Sequence, residues 1–275
     1  MFTREQILER LRGRINDGHP IIGAGAGTGI TAKSAEAGGI DLIIIYNSGR
    51  FRMAGRGSVA GMLPYGDANQ IVVDMGREVL PVVHHTPVLA GVCGTDPFRI
   101  MPIFLKQIKE MGFSGVQNYP TVGYFDGVAR RDMEETGFGY ELEVDMIRSA
   151  RELGLFTSPY VYTVDEAQRM TRAGADVLVA HMGLTAKGTI GSKSAPPLDQ
   201  CVEKIQEIHD AAKAINPEIL VICHGGPISE PDDAEYILSQ TRGVVGFFGA
   251  SSIERLPTEK AIRDQVMAFQ QIRLS

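Results

Sequence analysis

The chain has 275 residues, 44% of them hydrophobic, with a formal net charge of −6 and a pI near 5.6. An acidic chain without a basic stripe interleaved with aromatic residues is a poor match for a phosphate backbone, so nucleic acid is not expected as a partner. Since no apolar run approaches the roughly 20 residues of a membrane span and Met1 leads into a polar amphipathic segment rather than a signal sequence, we expect a cytoplasmic protein with no membrane partner.

Eight short apolar runs recur along the chain, and each ends at a polar or glycine-rich stretch. The runs at 42–45, 177–180 and 220–223 are continuously apolar, which is typical of parallel strands covered on both faces. The segments between the runs carry apolar residues at helical spacing, as at Ile100, Phe104 and Ile108, and glycine follows several of them. This alternation predicts an α/β fold, a single (β/α)8 TIM barrel over 1–275, with strands at 21–25, 42–47, 88–93, 115–118, 155–160, 177–181, 220–224 and 244–249.

The three cysteines are widely spaced, and no Cys-x-x-Cys pair occurs. This spacing argues against a disulfide framework and against a structural zinc site. We therefore expect free thiols at Cys93, Cys201 and Cys223.

Barrels of this class place their chemistry at the carboxyl ends of the strands. Those ends are polar and rich in glycine here, and the loops after the seventh and eighth strands, 224–227 and 249–252, let the backbone approach a phosphate or carboxylate closely. The alternative is that these glycines only allow tight turns. The ring of strand ends predicts substrate-binding residues at Gly25, Asn47, Ser48, Gly49, Arg50, Asn118, Gly225, Gly226, Gly249, Ser251 and Ser252.

Two glycine-rich segments are candidate lids over that ring. Segment 49–57 carries Arg50, Arg52 and Arg56 and is expected to be a long loop. Guanidinium groups suit the capture of carboxylates and phosphates. Arg50, at the strand end, is the favoured candidate. For Arg52 and Arg56 the alternative is a solvated position on the surface. Segment 181–192 is expected either to close over an anionic ligand or to form an oligomer contact.

His181 and His224 end neighbouring strands, so both can address one ligand as acid and base. Asp96 is the clearest carboxylate at a strand end, although capping the next helix is an equally reasonable role. These three residues are the predicted catalytic groups, and Asp96 is also the candidate metal ligand. A Schiff-base mechanism is disfavoured because no predicted strand carries a lysine.

Several motifs together resemble the phosphoenolpyruvate hydrolase-like TIM-barrel family over nearly the whole chain: GAGAGTG at 23–29, YNSGRFR at 46–52, LPYGDAN at 63–69, GVCGTDP at 91–97, QNYPTVG at 117–123 and HGGP at 224–227. The chain is more distantly similar to the phosphoenolpyruvate mutase and isocitrate lyase superfamily. In that superfamily a Ser-Gly turn after the second strand binds substrate oxygens, and Ser48 and Gly49 match it.

The resemblance also implies Mg²⁺ or another divalent metal held by carboxylates after the third and fourth strands. This chain has Gly91-Val92-Cys93 and Gln117-Asn118 there, and only Asp96, a few residues later, offers a carboxylate. The cofactor is therefore left open.

Taken together, the residues and the resemblance predict an enzyme, a hydrolase or lyase, that acts on a small phosphorylated or 2-oxo acid and breaks a bond near the carbonyl. The alternative is a barrel without catalysis that binds a metabolite or a protein, as the signal-transduction description of some bacterial family members implies. Exposed-looking apolar residues on outer helices further predict a homo-oligomer, namely Met133, Phe138, Met267 and Phe269.

Overall fold

A computed structural model describes residues 1–274, and all of its strands pair in parallel. Its strands are β1 Ile21–Gly25, β2 Leu42–Ile45, β3 Val88–Val92, β4 Gly115–Asn118, β5 Phe156–Thr157, β6 Tyr160–Val161, β7 Val177–His181, β8 Leu220–His224 and β9 Gly246–Gly249. The α-helices are α1 Arg4–Asn16, α2 Gly29–Ala37, α3 Asn47–Met53, α4 Ala68–Val79, α5 Met101–Glu110, α6 Gly127–Glu135, α7 Glu141–Glu152, α8 Val164–Arg172, α9 Leu198–Lys213, α10 Pro231–Gln240 and α11 Arg255–Phe269. Short 3₁₀ turns occupy Ser58–Met62, Leu80–Val82 and Val122–Tyr124.

The sheet has nine strands in the order β5-β4-β3-β2-β1-β9-β8-β7-β6. Its two edge strands, β5 and β6, follow each other along the chain with only Ser158 and Pro159 between them, so the sheet curls until its edges share one segment. The prediction of a parallel α/β fold is confirmed. The prediction of a closed barrel of eight strands is corrected, because the expected fifth strand is divided in two at Pro159, which has no N–H to donate to a ladder.

Side chains of β4 bridge this division. Gln117 Nε2 donates to the Ser158 carbonyl oxygen at 2.8 Å. Asn118 Oδ1 accepts from the Tyr160 N–H at 2.7 Å, and Asn118 Nδ2 donates to the Tyr160 carbonyl oxygen at 3.3 Å. The Asn118 amide thus makes the pair of hydrogen bonds that a neighbouring backbone would make, which holds β6 beside β4.

Strand register places the two predicted catalytic histidines side by side. β7 and β8 pair at five positions, from Val177 opposite Leu220 to His181 opposite His224. Residues opposite each other in a parallel pair point to the same side of the sheet. The apolar residues of these strands are buried, so the histidines are carried on a packed and rigid part of the fold.

Helix α11 differs from the other long helices in how little of it is covered. Only Arg255 and Leu256 within it are buried, and residues 260–274 are all exposed. Its exposed apolar side chains include Ile262, Val266, Met267 and Phe269. Over residues 1–274, none of the helices is both long and apolar enough to span a bilayer.

Candidate active site

A polar cavity of about 410 Å³, its mouth included, lies at the carboxyl ends of the strands. The side chains that the chemistry depends on come from the ends of β2, β6, β7, β8 and β9 and the turns after them, namely Tyr46, Ser48, Arg52, Tyr160, Tyr162, His181, His224 and Ser251.

His181 is buried and is fixed by the turn that follows β7. Its Nδ1 accepts a hydrogen bond from the Gly183 N–H at 2.9 Å, so the proton of the neutral ring lies on Nε2. Burial, followed by the neighbouring His224, holds the pKa of His181 well below its usual value. The ring of Tyr162 stacks on it with centroids 4.5 Å apart. His181 therefore presents a neutral Nε2–H group.

His224 has the opposite arrangement. Its Nδ1 lies 2.6 Å from the Phe248 carbonyl oxygen, which can only accept, so Nδ1 carries the proton and Nε2 carries a lone pair. Burial lowers the pKa of His224 to about 4. The rings of His181 and His224 are 4.5 Å apart between centroids. At neutral pH the pair thus offers one hydrogen-bond donor and one proton acceptor within a single cavity.

Arg52 and Glu254 form a buried ion pair beside the cavity. Arg52 Nη2 lies 3.0 Å from Glu254 Oε2, and each side chain is 1% exposed. Glu254 also accepts from the Gly27 N–H and, at 2.7 Å, from the Thr31 hydroxyl. The pair therefore ties together the segments that follow β1, β2 and β9. Arg52 Nη1 donates to Ser48 Oγ at 3.3 Å, which leaves the Ser48 hydroxyl proton for another acceptor.

The sequence favoured Arg50 as the anion-binding arginine, but Arg50 is exposed and Arg52 lines the cavity. The reason is that residues 47–53 form helix α3 rather than a loop. Positions 48 and 52 share one face of that helix, and position 50 points away from it. Helical spacing between Ser48 and Arg52 was the sequence signal, and the surrounding glycines obscured it.

Tyr162 was not singled out from the sequence. Its hydroxyl is buried and has no hydrogen-bond partner within residues 1–274, and its ring lines the cavity. A buried hydroxyl without a partner is costly in a folded protein, so such groups are commonly completed by a ligand or a water. Tyr162 directly follows β6 and so lies at the carboxyl end of a strand, where the cavity is.

Asp96 lies outside the cavity that holds the histidines. Its carboxylate accepts from Arg99 Nη1 at 2.6 Å, from Asn69 Nδ2 at 2.9 Å and from the Phe98 N–H at 2.9 Å. Although burial opposes the change, the hydrogen bonds from Asn69, Phe98 and Arg99 lower the pKa of Asp96. Asp96 thus stabilises the turn at 96–98 rather than capping the next helix, whose N-cap residue is Ile100.

The donor set at these strand ends does not fit the magnesium site that the resemblance implies. Mg²⁺ prefers carboxylate and water oxygens. Asp96 is paired with the Arg99 cation, and β3 and β4 otherwise end near the Cys93 thiol and the Asn118 amide. Within 1–274 we find no group of three or more His, Cys, Asp or Glu side chains arranged to hold a metal ion.

The remaining predicted substrate residues have mixed surroundings. Ser251 lines the cavity, and Ser252 next to it is half-buried. A Cβ on Gly25 would lie 3.2 Å from the Tyr46 hydroxyl, so glycine leaves room at the cavity wall.

Gly225 and Gly226 adopt φ angles of +77° and +60°, a conformation that favours glycine. This agrees with the interpretation that these glycines allow a tight turn. Gly49 and Gly249 are buried, and neither lines the cavity.

The second candidate lid, segment 181–192, is held against the helices beside it. Lys187 Nζ lies 3.1 Å from Asp233, and the Thr189 hydroxyl donates to Glu259 at 2.9 Å. Arg255 Nη2 donates to the Lys187 carbonyl oxygen at 3.1 Å. These contacts hold the middle of the segment against α10 and α11, and Gly183, Leu184 and Thr185 at its start line the cavity.

A curled parallel sheet with helices around it and a polar cavity at the carboxyl ends of its strands defines a TIM-barrel-type α/β protein. The chain belongs to the phosphoenolpyruvate hydrolase-like family, which it matches over residues 6–272. This confirms the resemblance seen in the motifs.

Two tomato (Solanum lycopersicum) proteins are similar over most of this chain. The ToMV susceptible protein tm-1(GCR26) is 60% identical over 268 residues, and the ToMV resistance protein Tm-1(GCR237) is 59% identical over 271 residues; each alignment covers 98% of this chain and 36% of the relative. The protein y4pA of Sinorhizobium fredii is 34% identical over 274 residues, 99% of this chain and 45% of that protein. The chain thus spans about a third of the length of the tomato relatives.

Solved structures share the fold at low sequence identity. Oxaloacetate acetylhydrolase in complex with the product oxalate has a TM-score of 0.61 at 14% identity, covering 98% of this chain and 89% of that one. Phosphonopyruvate hydrolase in complex with oxalate and Mg²⁺ has a TM-score of 0.57 at 15% identity, covering 96% and 87%. The 2,3-dimethylmalate lyase, a PEP mutase/isocitrate lyase superfamily member, has a TM-score of 0.58 at 16% identity, covering 98% and 89%.

Proposed function

We propose that the chain is an enzyme that cleaves or hydrolyses a bond next to the carbonyl of a small phosphorylated or 2-oxo acid, of the phosphoenolpyruvate or phosphonopyruvate type. The observation that carries this proposal is the buried pair His181 and His224, whose free Nε2 atoms are a donor and an acceptor. The family supports it, and so do the neighbours of the same fold, which include an oxaloacetate acetylhydrolase and a phosphonopyruvate hydrolase.

In the proposed hydrolysis, His224 Nε2 takes a proton from water while the water oxygen bonds to the carbonyl carbon of the substrate. The His181 Nε2–H group donates a hydrogen bond to the oxyanion that develops. When the carbonyl reforms, the bond to the adjacent carbon breaks, its electron pair is delocalised onto a carbonyl or carboxyl group that this departing carbon carries, and the carbon then takes the proton from His224. The histidines end in their starting states, and one water is consumed.

Neutral donors hold the anion in this proposal. The Ser48, Tyr162 and Ser251 hydroxyls line the cavity, and Ser48 is oriented by Arg52. Because Glu254 already pairs with Arg52, the guanidinium contributes less charge to a ligand than a free arginine would. Backbone groups near Gly225, Gly226, Gly249 and Ser252 remain the candidates for a phosphate or a second carboxylate.

No step is assigned to a metal. The phosphonopyruvate hydrolase complex contains Mg²⁺. Since Asp96 is paired with Arg99 in this chain, a divalent ion would need ligands other than those expected from the sequence. Every assay is therefore run with and without MgCl₂, and turnover that requires Mg²⁺ would contradict the metal-independent mechanism.

The test is a screen for thermal stabilisation and product formation with phosphoenolpyruvate, phosphonopyruvate, oxaloacetate and phosphate. A ligand at 100 times its Kd stabilises the folded state by about 2.7 kcal/mol, which is visible as a raised Tm. His224→Gln should lower turnover by about 10²–10⁴-fold with an unchanged fold, the usual range for a general base. His19→Gln is the matched control, because His19 is exposed and precedes β1 at the opposite end of the strands.

The second candidate function is a barrel that binds a metabolite or a protein without catalysis. The observation that favours it is the similarity to the tomato proteins, whose names describe susceptibility and resistance to a virus. Saturable binding of an oxo acid with no product under any condition would support this candidate. Detection of a product that disappears in His224→Gln would remove it.

We also propose self-association and a cytoplasmic location. The exposed apolar side chains of α11 support the first, because an exposed apolar helix face is commonly covered by a partner. Light scattering tests it, and a monomer would contradict it. Of the other two residues on which the prediction of a homo-oligomer was based, Met133 is half-buried and Phe138 is 43% exposed.

A further inference from the structure

A second depression, much larger than the histidine cavity, lies beside it on the same rim. It encloses about 1400 Å³, open side included. Its walls come from three segments, namely residues 61–68, the residues after β3, and the residues from the end of β4 to 138, with Asn47 at one end. Most of its lining is apolar, including Met62, Pro97, Pro120, Val122, Phe125 and Phe138. We call this depression the apolar groove.

The apolar groove adjoins the histidine cavity. Met62 lines both of them. Asn47 of the groove lies between Tyr46 and Ser48 of the cavity in the chain, and Pro120 of the groove follows Tyr119 of the cavity. The two spaces therefore share the flexible side chain of Met62 and are lined by neighbouring residues of two backbone segments.

Asn47 marks the polar end of the groove. It is 2% exposed, its Nδ2 donates to the Gly61 carbonyl oxygen at 2.8 Å, and its Oδ1 is buried without a partner within residues 1–274. A buried amide oxygen in this state is destabilising unless a ligand group or a water donates to it. A ligand group that donates to Asn47 Oδ1 at the junction of groove and cavity would remove this cost, and this observation is independent of the apolar walls.

We propose that the apolar groove binds an extended apolar substituent of the substrate, so that the chain acts on 2-oxo acids with a long alkyl or aryl tail rather than on those of three or four carbons alone. This inference rests on the proposed function, because the acid end must occupy the histidine cavity. The groove is too large and too apolar for the acid end itself. Met62 lines both spaces, so its flexible side chain would have to move aside for the tail to pass from one to the other.

Binding of a homologous series tests the proposal: pyruvate, 2-oxobutyrate, 2-oxohexanoate and 2-oxooctanoate, with phenylpyruvate as an aryl member. Each methylene that becomes buried is expected to tighten binding about fourfold. The wild-type Kd should therefore fall at least tenfold from pyruvate to 2-oxooctanoate. The alkyl acids are probes of binding, because they carry no group that would stabilise a departing carbanion.

The diagnostic variant is Ala68→Trp, which fills the apolar groove. Ala68 is half-buried, lines the groove and belongs to neither the cavity nor the proposed chemistry. The variant should raise the Kd of 2-oxooctanoate at least tenfold and leave the Kd of pyruvate unchanged. Ala211→Trp is the matched control, a half-buried alanine on outer helix α9 that should change neither value. The Tm of both variants is measured first, and the smaller Ala68→Leu replaces the tryptophan if it does not fold.

The outcomes separate this inference from the proposed function. If pyruvate binds and the longer acids bind no tighter, or if Ala68→Trp affects all acids alike, the groove proposal is overturned and the proposed function stands. If no acid of any length binds the wild-type protein, both fall. If an apolar peptide binds in the groove and competes with no oxo acid, the groove is a protein-docking surface and the proposal is wrong.

Discussion

His181 accepts a hydrogen bond at Nδ1 from the Gly183 N–H, whereas His224 donates one from Nδ1 to the Phe248 carbonyl oxygen. The two rings sit at matching positions of paired strands, yet the backbone around each fixes the opposite tautomer. This difference in backbone hydrogen bonding gives the two histidines distinct chemical roles. The same substitution should therefore have different effects at the two positions, because His181 acts as a donor at Nε2 and His224 as an acceptor.

The low pKa of His224 predicts a stability change with pH. Burial sets the folded-state pKa at about 4, against about 6.5 in the unfolded chain. Between these values the unfolded chain binds the proton and the folded chain does not, so stability is fully present above pH 6.5 and is lost as pH falls toward 4. The loss is about 3 kcal/mol from this residue.

Chemical denaturation of the wild type and His224→Gln between pH 4 and pH 7 measures this contribution. The free energy of unfolding of the wild type should fall relative to that of the variant by about 3 kcal/mol on acidification. His19→Gln should follow the wild type at every pH. A constant difference between wild type and His224→Gln would show that His224 is not held neutral by its site.

Tyr162→Phe tests whether the buried hydroxyl serves a ligand. Because the hydroxyl has no partner within residues 1–274, its removal should leave Tm unchanged or slightly raised. If the hydroxyl binds substrate, KM should rise about 3- to 10-fold, the value of one neutral hydrogen bond of about 0.5–1.5 kcal/mol. Tyr65→Phe, at an exposed tyrosine, is the control. A clear fall in Tm would mean that the hydroxyl has a structural partner.

Most of the fold could be predicted from the sequence because continuous apolar runs and helical periodicity are local signals. The strands β1, β4, β7 and β8 begin and end as expected. The interruption at Ser158 and Pro159 could have been found, since proline cannot donate to a ladder, but the flanking apolar residues made 155–160 look like one strand.

The candidate site was only partly predictable. His181 and His224 were found because they end strands, and that position is encoded locally. Arg52 depends on Glu254, two hundred residues away, and a pairing at that distance leaves no trace in a single sequence. Asn118 was expected to bind substrate for the same local reason as the histidines, yet its amide is used to bridge the divided strand.

The Arg52–Glu254 pair should be essential to the fold around the cavity. Removing one partner of a buried ion pair leaves a charge without compensation and costs about 3–5 kcal/mol. Glu254→Gln and Arg52→Met should each lower the free energy of unfolding by about this amount, and the double variant should lose less than the sum. Arg263→Met is the control, because Arg263 is 64% exposed. Additive losses in the double variant would show that the two residues act independently.

Glu143 should change stability with pH in the direction opposite to His224. Its carboxylate is fully buried on α7 and accepts from the Asn118 side chain at 2.6 Å, the Thr121 hydroxyl at 2.7 Å and the Val122 N–H at 2.6 Å. Burial, against those hydrogen bonds, raises the pKa of Glu143 to about 7 from 4.5. The folded chain therefore binds a proton between these values that the unfolded chain does not.

Stability from Glu143 is accordingly present at low pH and is lost as pH rises through 7, by about 3 kcal/mol in total. Glu143→Gln cannot titrate, so the free energy of unfolding of the wild type should fall relative to this variant between pH 4.5 and 7.5. Glu152→Gln, at an exposed position on the same helix, should run parallel to the wild type. If the free energy of unfolding of the wild type instead rose with pH relative to the variant, the three hydrogen bonds would outweigh burial and keep the Glu143 carboxylate ionised. Glu143 would then be a charged group beside Asn118, the residue that joins β4 to β6.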